Sequence, residues 1–142
     1  MAVANLHETI QASIMRRAQL QLEISQLQSQ KSMAMFEQGD VQSLLASEKN
    51  AVREKFRKLF EETPELQEQY LDYTEMPDFD AELDKVLAKH QEQLEELASW
   101  ETLLTNQITT KDTELQELNA YIDSYREMLS TNVKEDYDFG LS

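Results

Sequence analysis

Between residues 80 and 129, apolar side chains recur at steps that alternate between three and four residues. The positions on this ladder are Leu83, Leu87, His90, Leu94, Leu97, Glu101, Leu104, Ile108, Lys111, Leu115, Leu118, Ile122, Tyr125 and Leu129. A repeat of about 3.5 residues keeps one side of a helix in contact with a partner helix along its whole length. The sequence therefore predicts one long helix from Phe79 to about Asn132.

The partner helix is predicted in the first part of the chain. Its best contact positions are Leu6, Ile10, Ser13, Arg17, Leu20, Ile24, Leu27, Lys31 and Ala34, followed by Gln38, Val41, Leu45, Glu48, Val52, Lys55 and Leu59. Gly39 and Asp40 could end one helix and begin another. The repeat continues in phase across them, which favours one arm over residues 3–62 that runs through or bends slightly at the glycine.

A corner is predicted between the two arms. Thr63 suits a helix N-cap and Pro64 the first helical position, so a short helix should span about 64–73. Within it we expect Leu66, Tyr70 and either Leu71 or Tyr73 to turn inward. Met76 precedes Pro77 and should leave helical geometry. Residues 63–78 thus connect two long arms.

These elements predict an all-α fold, since two glycines and two prolines in 142 residues are too few for the turns of a mixed fold. The preferred architecture is a long antiparallel hairpin or coiled coil with arms 3–62 and 79–132. Residues 1–132 would form one helical domain, and 133–142 a flexible or docking tail. The alternative is a compact three- or four-helix bundle, in which residues 3–38 fold back on 41–62.

The contact between the arms is the candidate site. We expect it to contain Leu6, Ile10, Leu20, Ile24, Leu27, Leu45, Val52, Leu59, Leu87, His90, Leu94, Leu97, Leu104, Ile108, Leu115, Leu118, Ile122 and Leu129. Glu101 and Lys111 are charged residues at ladder positions, which often fix register or partner choice. A hairpin closed near residue 70 places both opposite residues of about 30–40, and Lys31 could pair with Glu101. Alternatively, both charged groups extend into solvent.

Several apolar residues of the first arm lie outside its contact positions. They are Ile14, Met15, Leu22, Met33, Met35 and Phe36, while Phe56 and Phe60 lie beside the contact near the corner. This surface is wider than one partner helix requires. It predicts either more than one partner helix or burial in an assembly.

The formal net charge of −15 is unevenly distributed: residues 1–38 carry three basic and three acidic residues, and residues 77–142 carry five and sixteen. Direct binding to nucleic acid or to an anionic membrane needs a cationic face and is disfavoured. The basic residues Lys49, Arg53, Lys55, Arg57 and Lys58 form one patch, which we expect to be attracted to acidic helices. No signal peptide or membrane span is indicated, so the chain is expected in the cytoplasm or exported without a cleaved signal.

No motif for catalysis, a cofactor or a metal is found. The chain has no cysteine, and position 87 is leucine where a di-metal helical bundle would need a glutamate three residues before His90. Buried in the contact, His90 could make helix pairing depend on pH. The preferred function is a non-enzymatic structural subunit that forms homo-oligomers through its helices. The alternative is an acidic helical adaptor or chaperone for a basic or helical protein.

Overall fold

The structure is a computed structural model that describes the backbone of residues 3–141 and the side chains of residues 3–134. Helix α1 spans Val3–Glu62, α2 spans Pro64–Gln69, a single 3₁₀ turn spans Tyr73–Glu75, and α3 spans Phe79–Leu141. No strand is present in the described backbone. Helix α1 packs against α3, which confirms the predicted all-α helical hairpin.

Helix α1 is unbroken at Gly39 and Asp40. The alternative bundle needed a chain reversal at these two residues, and it is therefore wrong. The glycine has no positive φ, and a Cβ atom built on it would meet nothing within 4 Å. Neither backbone conformation nor close packing requires glycine here.

We therefore expect Gly39→Ala to raise the free energy of unfolding by about 0.5–1 kcal/mol, because alanine loses less backbone entropy in a helix interior. Urea denaturation followed by circular dichroism measures the change. Ser43→Ala, an exposed position one turn further along α1, is the matched control and should give a smaller increase. A loss of stability in Gly39→Ala would contradict an unconstrained helical glycine.

The chain divides into two compact units, Met1–Lys31 with Leu103–Ser142, and Ser32–Thr102. In the first unit Leu6, Leu20, Leu104 and Ile122 are buried almost completely. The second unit buries small and medium side chains along its helices, Ala34, Val41 and Leu97, together with His90. In each unit the core is therefore a stripe of side chains from α1 and α3 rather than a globular interior.

The corner of the second unit contains the largest apolar cluster. Phe56, Met76 and Phe79 are buried there, and Val52, Phe60, Leu66, Tyr70, Tyr73 and Leu83 pack around them. The Phe79 ring meets the rings of Phe56 and Tyr73 edge to face, with centroids 5.5 Å apart in each pair. Met76 has the extended backbone predicted for a residue before proline, φ −65° and ψ 140°.

The corner helix is shorter than predicted. Helix α2 ends at Gln69, because Tyr70 is extended and the Asp72 carboxylate accepts hydrogen bonds from the Tyr73 N–H and the Thr74 hydroxyl. Such local side-chain bonds compete with helix continuation. Tyr73 packs in the corner cluster and Leu71 is 91% exposed, so tyrosine fills the inward position.

Thr63 lies between the last residue of α1 and the first residue of α2. This residue has the extended backbone of an N-cap, but its side chain makes no capping hydrogen bond, contrary to the expected role. The Gln67 amide instead donates to the carbonyls of Phe60 and Glu61, at 3.0 and 3.1 Å. Carbonyls at the C-terminal end of a helix need such partners, so Gln67 stabilises the end of α1.

Helix α3 continues to Leu141, nine residues past the predicted end at Asn132. No proline interrupts residues 133–141, which is consistent with a continued helix. The side chains of residues 135–142 lie outside the described part of the chain. Flexibility or docking of the tail therefore stays a prediction.

Candidate functional site: the helix contact and the exposed helix surfaces

Most predicted contact positions are buried or half-buried, and the three exposed ones are Lys55, Leu59 and Leu87. Leu59 and Leu87 remain 45% and 40% exposed. Both lie near the corner, where Phe56 of α1 and Leu83 of α3 fill the contact with the aromatic cluster.

Polar residues of the predicted contact pair with one another in the second unit. The Gln38 amide donates to the Glu101 carboxylate at 2.9 Å, and His90 Nε2 lies 2.8 Å from the Glu48 carboxylate. Nearer the corner, the Lys55 ammonium donates to Glu82 at 3.0 Å. Each forward step along α1 is matched by a similar backward step along α3, so these bonds mark one antiparallel register.

Glu101 therefore faces the expected range of residues, about 30–40, where it accepts a hydrogen bond from Gln38. The proposed pairing of Glu101 with Lys31 stays a prediction. Glutamine was not anticipated as a partner, because a neutral amide carries no charge signal in the sequence. The pairing could have been found from the repeat, which places Gln38 on the predicted contact.

Lys111 lies in the first unit and bonds a residue of that unit. Its ammonium donates to the Glu23 carboxylate at 2.8 Å, and both side chains are about one-third exposed, 32% and 29%. Arg16 bonds Glu114 at 2.8 Å in the same unit. Glu23 was not predicted as the partner of Lys111, because it lies beside the repeat, where a long side chain reaches across the contact edge.

These ion pairs change the acidity of their members. The hydrogen bond from Lys111 lowers the pKa of Glu23, and the hydrogen bond to Glu114 raises the pKa of Arg16. Hydrogen bonds from His90 and then Lys89 lower the pKa of Glu48. A carboxyl group with a lowered pKa stabilises the fold above the pKa that it has in the unfolded chain.

The Glu48 contribution should therefore be lost as the pH falls through its folded pKa, below the ordinary value of 4.5. We therefore expect the urea midpoint of Glu48→Gln to fall less than that of the wild type when the pH is lowered from neutral to below 4.5. Glu92→Gln, at an exposed position on the same unit, is the control and should leave this fall unchanged. An equally reduced fall in both variants would contradict a specific role for Glu48.

Two shallow grooves lie on the described surface of the first unit. One groove of about 390 Å³ is lined by Asn106, Gln107, Thr110, Lys111 and Glu114, all from α3. A second, of about 200 Å³, is lined by Arg16, Glu114, Glu117, Leu118 and Tyr121. The described side chains contain no cluster of three or more histidine or acidic residues that could hold a metal ion. Among the described helices, none is long and apolar enough to cross a membrane.

Many large apolar side chains are exposed on both long helices. Those on α1 are Met15, Leu22, Met33, Met35, Phe36, Leu44 and Leu59, and those on α3 are Leu87, Trp100, Leu103, Tyr121, Met128 and Val133. Five of the α1 residues were among those predicted to lie outside the contact. The prediction missed Leu44, Trp100, Leu103, Tyr121 and Met128, although all five lie off the repeat and could have been found in the same way.

The comparisons with known proteins add no identification: no protein-family model, no curated protein and no solved structure matches this chain.

Proposed function

We propose that the protein is a non-enzymatic structural subunit that assembles with further copies of itself through the outer sides of its long helices. The observation that supports this proposal is the exposure of large apolar side chains on helices whose inner sides already pack together. Phe36 is 72% exposed and Met15 is 73% exposed. Large contiguous apolar patches are rare on monomeric soluble proteins and are typical of interaction surfaces.

The charge of the chain is compatible with this role. A net charge of −15 keeps free copies soluble and slows non-specific association. The first 38 residues are balanced in charge, so the outer side of α1 can approach another copy without strong repulsion. Assembly through α1 therefore costs less electrostatically than assembly through the acidic helix α3.

Solution mass measured across protein concentration tests the proposal. We expect the mass from light scattering to rise from that of one chain, 16.6 kDa, toward multiples of it as the concentration increases from the micromolar range upward. A constant mass of one chain up to hundreds of micromolar would contradict self-assembly. Analytical ultracentrifugation at the same concentrations separates specific oligomers from polydisperse aggregates.

A second candidate, an acidic adaptor or chaperone, is favoured by the charge of residues 77–142, which contain sixteen acidic and five basic residues. It predicts a monomer or dimer that binds a basic or helical protein. Recovery of one stoichiometric basic partner together with a concentration-independent mass would favour this candidate. Recovery of the chain alone would count against it.

A further inference from the structure

Two neighbouring segments of the second unit contain acidic residues and no basic residues, and we name them the acidic belt. The Gln38–Glu101 hydrogen bond brings the α1 segment 33–44 beside the α3 segment 91–102. The two segments together contain Glu37, Asp40, Glu92, Glu95, Glu96 and Glu101, and neither contains lysine or arginine. At neutral pH this belt is therefore a concentrated region of negative charge.

Five large apolar residues are exposed within the acidic belt: Met33, Phe36, Leu44 and Trp100, with 56%, 72%, 51% and 38% of their surface accessible, and Met35, with 52%. Helical spacing places the first four on one flank. Leu44 precedes Lys55 by eleven residues and Trp100 follows Lys89 by eleven, and eleven residues are about three whole helical turns. Lys55 and Lys89 both bond across to the opposite helix, to Glu82 and Glu48.

The ion pairs and these four apolar residues therefore share a flank, and we name the four residues the belt patch. Its members are aromatic or large, and an exposed tryptophan with neighbouring apolar side chains is typical of the energetic centre of an interface. The acidic side chains around it form a charged rim. A partner for this patch should combine apolar surface with positive charge.

A basic segment follows directly on α1, and the aliphatic stems of its long side chains supply apolar surface. Residues 45–58 contain five basic and two acidic residues. Lys49, Arg53 and Arg57 recur every four residues and so lie on one side of the helix. The hydrogen bonds seen for the two arginines are within α1 itself, from Arg53 to Asn50 and from Arg57 to Glu54.

The basic side is different from the flank that carries the belt patch. Arg53 precedes Lys55 by two residues, which is about 200° around the helix axis at about 3.6 residues per turn. Its guanidinium remains on the exposed surface of the described chain. One molecule thus presents an acidic apolar surface on one flank and a basic surface on another.

We propose that the belt patch of one copy docks on the basic segment 45–58 of a second copy. This inference rests on the proposed self-assembly and names the two surfaces involved. Opposite charges meet at the rim, and the Arg53 guanidinium can stack on the Trp100 ring. The aliphatic parts of Lys49 and Arg53 cover the apolar side chains. Pairing of two acidic belts would instead bring like charges together.

The contact joins two different surfaces and is therefore heterologous. After the first contact forms, the pair of copies keeps one free belt patch and one free basic segment, so growth continues into a ring or an open filament. A closed two-fold dimer would be expected only for a surface that pairs with itself. The placement of opposite charges on two sides of the second unit therefore favours continued growth over a closed two-fold dimer.

Two charge-reversal variants test the pairing. Lys49→Glu/Arg53→Glu alters only the basic segment, and Glu92→Lys/Glu96→Lys alters only the belt. We expect each variant alone to remain at the mass of one chain, 16.6 kDa, under conditions where the wild type assembles. An equimolar mixture should then form a larger species, because the reversed surfaces attract each other, as do the two unaltered ones.

Combining all four substitutions in one chain should restore assembly, since the charges are exchanged but remain complementary. Restoration also shows that the substitutions leave the helices folded, which circular dichroism of each variant verifies. Asp112→Lys/Asp123→Lys is the control for Glu92→Lys/Glu96→Lys, because it changes the net charge equally at exposed positions outside both surfaces. It should assemble as the wild type does. Added salt should weaken assembly of the wild type, because it screens exposed charges.

The outcomes separate the inference from the proposed function. A wild type that stays monomeric at every concentration overturns self-assembly and this pairing together. A wild type that assembles, with both charge-reversal variants assembling equally well, overturns this pairing and leaves self-assembly standing. Loss of assembly in the Asp112/Asp123 control to the same extent would show a general charge effect and would also overturn the pairing.

Discussion

Phe56→Ala is expected to lower the free energy of unfolding by about 3–5 kcal/mol, the usual cost of removing a buried phenylalanine side chain. Phe56 is 3% exposed, and its ring packs edge to face on Phe79. The substitution leaves a cavity in the corner cluster of the second unit, which contains the largest side chains of that core. Chemical denaturation measures the loss.

Phe36→Ala is the matched control on the same helix, because Phe36 is 72% exposed. At a concentration where the chain is monomeric it should change the free energy of unfolding by less than about 0.5 kcal/mol. The same variant should weaken assembly if the belt patch forms an interface. Similar stability losses in both variants would contradict the assignment of the aromatic core to the corner.

Leu104→Ala is expected to cost about 2–5 kcal/mol, as typical leucine truncations in tightly packed cores do. Leu104 is 2% exposed and belongs to the stripe of buried side chains in the first unit. Its neighbours in that stripe come from α1 and α3, so the helix contact cannot collapse freely into the space that the leucine vacates. The midpoint of thermal or urea unfolding reports the loss.

The adjacent residue provides the control, since Leu103 has the same side chain and is 53% exposed. Leu103→Ala should change stability little, because little surface is removed from the core and alanine is a good helix former. The difference between two neighbouring leucines isolates burial from helix propensity. Equal costs at both positions would mean that the contact face of α3 is assigned incorrectly.

The long helices and their pairing follow from local properties of the sequence. The repeat of three and four residues predicted α3 from Phe79, and the same repeat carried across Gly39 predicted the unbroken helix α1. Such patterns are readable because each helix contact depends on side chains a few residues apart in the chain. Met76 before Pro77 was equally predictable, since the constraint lies within two residues.

The repeat also includes the polar positions Glu101 and His90, which form hydrogen bonds to residues of α1. Their partners were harder to predict, because a register shift of a few residues preserves the repeat while changing every opposing pair. The structure pairs Lys111 with Glu23 and His90 with Glu48. Residues such as Glu23, at the edge of the contact, are reached by long flexible side chains that the pattern does not count.

The sequence by itself thus determined that this protein consists of two long helices that pack side by side, with a corner between residues 63 and 78. Only the tertiary structure decided where α2 ends, which corner residue faces inward, and which apolar side chains stay exposed. Leu71 and Tyr73 are equally suited to a corner core by hydrophobicity, and the bonds of Asp72 to the following backbone select Tyr73. Register and burial depend on contacts between distant residues, and helical periodicity is the same for many such arrangements.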